Sequence, residues 1–167
     1  MKITKNLGIS FMLAVALLFV LNINIFAQEH KISEKEVPVI VMSTFHKAFP
    51  KAVIKGTNTE TEKGKKYFEI ESMEDTKHID LLITAAGNIA EVEESIPTDQ
   101  IPGRVMKTLE KEFKRLKIET AEKVTHGTVS NYEFVVESNS GKYEVKLNAA
   151  GKLLKSEKAS KESDKAD

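Results

Sequence analysis

The chain has 167 residues, 41% hydrophobic and 30% charged, with equal numbers of acidic and basic side chains. That is room for one domain or two very small ones. Zero net charge leaves no basic excess to draw in nucleic acid or an anionic membrane. The absence of cysteine excludes disulfides, thiol nucleophiles, thiolate metal sites and a lipoprotein anchor.

Residues 1–27 read as a secretory signal peptide. Lys2 and Lys5 form a positive start, residues 11–21 are an unbroken apolar run, and Ala27 followed by Gln28 is the expected cleavage point. The run is short of the roughly 20 residues that span a bilayer. The expected location is therefore periplasmic or secreted, with no stable membrane insertion after cleavage; an uncleaved anchor is the alternative. Residues 28–36 are expected to be a flexible leader. Cleavage after Ala27 would expose Gln28, Glu29 and His30, whose amine, amides and imidazole can wrap Cu²⁺ or Ni²⁺ in a square plane. Cyclisation of the terminal glutamine would remove that amine, and a frayed leader is the plain alternative.

Two segments then match at a spacing of 64 residues, VPVIVMSTFHKAFPKAVI (37–54) and IPGRVMKTLEKEFKRLKI (101–118). Pro38, Val41, Met42, Thr44, Lys47, Phe49 and Ile54 recur as Pro102, Val105, Met106, Thr108, Lys111, Phe113 and Ile118. Each segment opens with proline in a first helical turn. Val37, Val41, Phe45 and Phe49, and then Ile101, Val105, Leu109 and Phe113, make one apolar stripe each. Pro50 stops the first helix, whereas Lys114 at the matching place predicts a second helix one turn longer.

Strands are predicted at 52–61, 66–72, 77–84 and 89–95, and again at 117–125, 130–138, 142–148 and 152–158. Gly87 and Gly151, in Ala-Ala-Gly turns, suit hairpin positions that need positive φ. The charged, aperiodic stretch 159–167 reads as a disordered tail. The expected architecture is α+β: a tandem repeat of one helix followed by an antiparallel four-stranded sheet, the repeats at 37–96 and 97–158, with both helices on one face of a joined sheet. Phe68, Ile70, Ile79, Leu81, Ile83, Phe134, Val136, Tyr143, Val145 and Leu147 would face the helices. Tyr67, Glu69, Glu71, His78, Asp80, Leu82, Glu133, Val135, Glu137, Lys142, Glu144 and Lys146 would line the open face.

These features resemble the PepSY-like, or β-lactamase-inhibitor-like (BLIP-like), family of exported bacterial proteins. The resemblance lies in the Val-Pro and Ile-Pro helix starts, the aromatics Phe49 and Phe113 near the helix ends, a Tyr-centred strand, and the AAGN-I and AAGK-L hairpins. It spans residues 37–158. Lys114, Thr84, Asn148 and the glycine-free turn at 73–76 depart from the family pattern, and all of them touch turns more than the core. The resemblance implies a helix-backed antiparallel sheet whose exposed face docks on another protein, and a role in restraining a periplasmic or extracellular enzyme. It supplies no catalytic residues.

The residues themselves offer little for catalysis. There is no phosphate loop, nucleophile elbow or His-Glu-x-x-His. The four histidines, His30, His46, His78 and His126, fall in different elements, and His46 reads as a solvated surface group. Glu69, Glu71 and Asp80 are expected to neighbour one another; they are either a solvated acidic face or a general acid/base pair or Ca²⁺ site. The expected function is a non-catalytic binding module without cofactor. Its partner would be a protein met by Tyr67, Glu69, Glu71, His78, Asp80, Leu82 and Val135, with Tyr67, Leu82 and Val135 as exposed apolar anchors. The alternatives are a small-ligand or metal-binding protein using the acidic patch or the mature N-terminus, and an envelope protein with no specific target.

Overall fold

Pro38 and Pro102 each stand at the N-cap of a ten-residue helix, α1 (Val39–Ala48) and α2 (Gly103–Glu112). Proline fits there because its fixed φ suits the entry and its missing N–H has no helical partner to lose. The computed structural model describes residues 30–62 and 64–159. The expected signal peptide, Gln28 and Glu29 of the leader, and residues 160–167 of the tail lie outside the described residues.

Each helix buries one stripe: Val41 and Phe45 in α1, Val105 and Leu109 in α2. The Phe49 N–H closes α1 on the Phe45 carbonyl at 2.8 Å, and the Phe113 N–H closes α2 on the Leu109 carbonyl at 2.9 Å. The second helix is thus no longer than the first, contrary to the reading of Lys114. Arg115, at φ 56°, turns the chain without a proline.

Nine strands lie in one antiparallel sheet in chain order. They are β1 (His30–Lys31), β2 (Val53–Glu62), β3 (Lys65–Glu74), β4 (Lys77–Thr84), β5 (Ile89–Ser95), β6 (Lys117–His126), β7 (Val129–Ser138), β8 (Gly141–Asn148) and β9 (Leu153–Lys158). Consecutive strands pair without a crossover, as hairpin chemistry allows. The turn between β3 and β4 takes its positive φ from Asp75, at φ 55°, a residue type that tolerates the left-handed region.

This corrects the expected α+β architecture, a tandem repeat of one helix followed by an antiparallel four-stranded sheet. The strands form a single nine-stranded sheet, and the helices are two short elements laid upon it. The seam explains the difference. β5 pairs with β6 from Val92↔Thr125 to Ser95↔Glu122, so the ladder runs on through the place where one repeat would end and the other begin. The flexible leader is corrected too. His30 and Lys31 pair with Thr59 and Asn58, and the Thr57 hydroxyl donates to the Ile32 carbonyl at 2.8 Å. A single 3-10 turn, Glu34–Glu36, follows.

The core is two apolar clusters. Val37, Val41 and Phe45 pack on Phe68, Ile70, Ile79, Leu81 and Ile83. Ile101, Val105, Leu109 and Phe113 pack on Ala121, Phe134, Val136, Val145 and Leu147. Register carries one face across the seam, because cross-strand partners share a side and residues two apart repeat it. Leu81 pairs with Val92 and Val92 with Thr125, which alternates with Lys123 and Ala121. Both helices therefore cover the same face. Full burial of a side chain such as Phe45 or Leu109 contributes about 1.5–3 kcal/mol.

Candidate functional site

Burying one side of each alternation leaves the other side of the sheet bare of helices. On that face β3 presents Tyr67, Glu69 and Glu71, and β4 presents His78, Asp80 and Leu82. The structure places these six side by side on adjacent strands. Val135 lies on the same face but on β7, three strands from β4. His30 is exposed on β1, at the edge of the sheet. Gln28 and Glu29 lie outside the described residues, so the square-planar set is not seen together.

The expected apolar anchors are not exposed. Leu82 and Val135 each retain 9% of their surface, and Val124 between them retains 1%. No helix among the described residues covers this side. Tyr67, Glu69, Glu71, His78 and Asp80 are half-buried.

The acids on β3 are held from β2. The Asn58 side-chain amide donates to Glu71 Oε1 at 2.5 Å and to Glu69 Oε2 at 3.2 Å. Gly56, opposite Glu71 in the register, leaves room for that carboxylate, since a Cβ there would sit 2.8 Å from it. Asp80 faces Glu71 across the β3–β4 ladder. Burial, reinforced by the Glu71 charge, pushes the Asp80 carboxyl up to about 7, against an opposing backbone hydrogen bond at Ser72.

The acidic row continues across the seam; of its members there, only Glu133 was expected on this face. Glu91 and Glu93 on β5, Glu122 on β6 and Glu133 on β7 share the open face. Glu93 is 9% exposed and Glu133 is 3% exposed. Burial first, then the Glu91 charge, raises the Glu93 carboxyl far above the ordinary carboxylate range. Burial, then Asp80 and Glu133, pushes Glu122 up to about 7. Burial also raises Glu133, although its 2.6 Å ion pair with Lys146 works the other way. The Glu91 carboxylate meets His126 Nε2 at 2.6 Å. The alternation Glu91-Val92-Glu93 was visible in the sequence. The seam that brings Glu93 towards Glu122 and Glu133 was not.

Solved structures of other proteins share this architecture. A BLIP-like protein from Bacteroides fragilis superposes with a TM-score of 0.57 at 17% identity, over 72% of this chain and 84% of that one. The fold is BLIP-like. A DUF2874 family protein from Bacteroides uniformis gives a TM-score of 0.59 at 14% identity, over 72% of this chain and 88% of that one. Another from Bacteroides ovatus gives 0.58 at 18%, over 72% and 86% respectively. No family model and no curated protein matches the sequence. The resemblance read from the residues thus holds at the level of the BLIP-like fold.

On this BLIP-like sheet the open face carries a band of buried and half-buried acids, with carboxyls that hold protons near neutrality. Such groups can give up a proton and become a negative surface when a cation arrives. Among the described residues, no three carboxylate or imidazole side chains converge closely enough to hold a metal ion. The arrangement is better suited to a spread of positive charge than to a point cation.

Proposed function

We propose that the protein is an exported, non-catalytic binding module that docks the basic surface of another envelope protein on its open sheet face. One observation carries this reading: Asp80, Glu93, Glu122 and Glu133 lie on one continuous face that no helix among the described residues covers. A face that holds so much acid out of water is complementary to a basic partner and hostile to other surfaces. Export is supported by the signal-like N-terminus. It is also supported by a protein of the same fold from Bacteroides eggerthii, provisionally described as periplasmic, with a TM-score of 0.61 at 16% identity over 72% of this chain and 88% of that one. The BLIP-like character of the Bacteroides fragilis protein favours restraint of a periplasmic or extracellular enzyme as the outcome of docking.

The test places a photo-crosslinking amino acid at Tyr67 on the open face, or at Lys107 on the exposed side of α2, in native envelopes. The expected result is one reproducible crosslinked protein from position 67 and none from 107, with purified partner binding at least tenfold weaker to Asp80→Asn. Equal crosslinking from both positions, or full binding by Asp80→Asn, would remove the open face as the docking surface. A small cationic ligand is the second reading, favoured by the raised Asp80 carboxyl beside Glu71. It predicts that the purified protein carries a dialysable small molecule and crosslinks to nothing.

A further inference from the structure

The open face has a focus, and it is not the trio on β3 and β4. At the β5–β6 seam Glu93 is 9% exposed, and its Oε1 has no hydrogen-bond partner among the described residues. The Glu93 carboxyl shares a hydrogen bond with Glu91, which leaves Oε1 buried without a donor, a costly state unless something else supplies one. The surroundings supply only more acid. Glu91 lies two residues along the same strand, Glu122 sits diagonally on β6, and Glu133 pairs with Glu122 from β7. The basic side chains near this group are already engaged: Lys146 with Glu133 at 2.6 Å, and His126 with Glu91 at 2.6 Å.

We propose that the notch formed by Glu91, Glu93, Glu122 and Glu133 receives an arginine side chain of the partner protein, whose guanidinium donates to Glu93 Oε1 and to Glu122. This rests on the docking reading above and names the chemistry of its central contact. Arginine fits better than a metal ion or lysine for a geometric reason. Cross-strand and diagonal neighbours on a sheet are about 5–8 Å apart. A metal needs its ligands at roughly 2.0–2.6 Å from one point. A guanidinium is planar, carries five N–H donors, and bridges carboxylates that do not converge. It is also the more weakly hydrated cation, so it enters a buried site at lower cost.

Proton balance follows from the same geometry. Burial and the Glu91, Glu122 and Glu133 charges keep Glu93 protonated when the notch is empty. A bound guanidinium replaces that proton as the positive partner, and the proton leaves to solvent.

The experiment uses the processed chain and a blocked peptide, acetyl-Gly-Arg-Gly-amide, with the citrulline peptide as its neutral isostere and calcium chloride as the metal probe. Carboxyl carbon NMR reads Glu93 and Glu122 directly. The expected result is a saturable shift of both signals by the arginine peptide, no shift by the citrulline peptide, and proton release on binding in calorimetry across buffers. Glu93→Gln and Glu122→Gln each weaken the arginine peptide at least tenfold, and Glu157→Gln, at an exposed position on β9, leaves it unchanged. Two glutamine variants are used so that a folding defect in one does not decide the matter. Shifts produced by calcium and not by arginine, or full binding by both glutamine variants, would overturn the assignment. If position 67 still crosslinks one partner while the arginine peptide is ignored, the docking face stands and the notch falls. If the peptide binds and the crosslink fails, the reverse holds.

Discussion

Thr108 donates its hydroxyl hydrogen to the Gly151 carbonyl over 2.7 Å, tying α2 to the turn before β9. Thr44 makes the matching bond to Gly87 at 2.9 Å, tying α1 to the turn before β5. Both glycines have φ 81°, a conformation that a Cβ disfavours. A Cβ on Gly151 would also sit 2.5 Å from the Arg104 backbone oxygen, whereas one on Gly87 would meet Ile40 Cγ1, on a side chain, at 2.7 Å. Backbone cannot step aside and a side chain can. Gly151→Ala is therefore expected to cost about 3 kcal/mol and Gly87→Ala about 1–2 kcal/mol. Urea midpoints of the two variants check this, and the reverse order would contradict it.

The packing of α2 sets a second expectation. Leu109 is fully buried against β6, β7 and β8, whereas Val129 keeps 59% of its surface. Leu109→Ala should lose about 2–5 kcal/mol through lost transfer energy and the cavity left behind. Val129→Ala should stay within about 0.5 kcal/mol. Guanidinium melts with an unchanged m-value would show both effects as stability changes and not as altered compactness.

The open-face acids make stability depend on pH with a definite sign. Asp80 and Glu122 are raised from 3.8 and 4.5 to about 7 each in the folded chain. The folded state then binds more protons than the unfolded state between about pH 4 and 7, so stability is fully present below that window and falls as pH rises through it. Glu71 faces Asp80, and Asp80 and Glu133 face Glu122, so their charges act in the same direction. Urea midpoints measured from pH 4 to pH 8 should decline. Asp80→Asn and Glu122→Gln should each flatten the decline. A midpoint that rises over this range would refute the protonated state of these carboxyls.

Lys146 provides a fourth test. Its 2.6 Å ion pair with Glu133 compensates the charge of an acid that is only 3% exposed. Lys146→Met leaves that carboxyl without its cation, which costs about 3–5 kcal/mol when the charge must persist. The cost should be smaller at pH 5, where Glu133 can protonate, and larger at pH 9. Equal losses at the two pH values would mean that the pair contributes packing and no charge compensation.

Much of the local structure was legible in the residues. Val41 and Phe45 mark the buried stripe of α1, and Phe68, Ile70, Ile79 and Leu81 mark the helix-facing side of β3 and β4, because periodicity follows from backbone geometry within a few residues. The acids Glu69, Glu71 and Asp80 were placed together for the same reason: β3 and β4 are joined by a two-residue turn that fixes their register. The division into repeats of one helix and four strands was overturned because local pattern does not report strand order across the whole sheet: β1 adds a ninth strand at one edge, and the Ser95–Glu122 and Val92–Thr125 pairs run all nine in chain order. Leu82 and Val135 were expected to be exposed because alternation tells which face a side chain takes, not how deeply it is buried there.

By itself the sequence determined where helices and strands form, which residues reverse the chain, and which side of each strand is apolar, since all of these depend on near neighbours along the chain. Only the tertiary structure decided that β1 joins the sheet and that all nine strands run in chain order. It also decided the register at the β5–β6 seam that sets Glu91, Glu93, Glu122 and Glu133 together on one face. Those outcomes come from backbone hydrogen bonds between strands far apart in sequence.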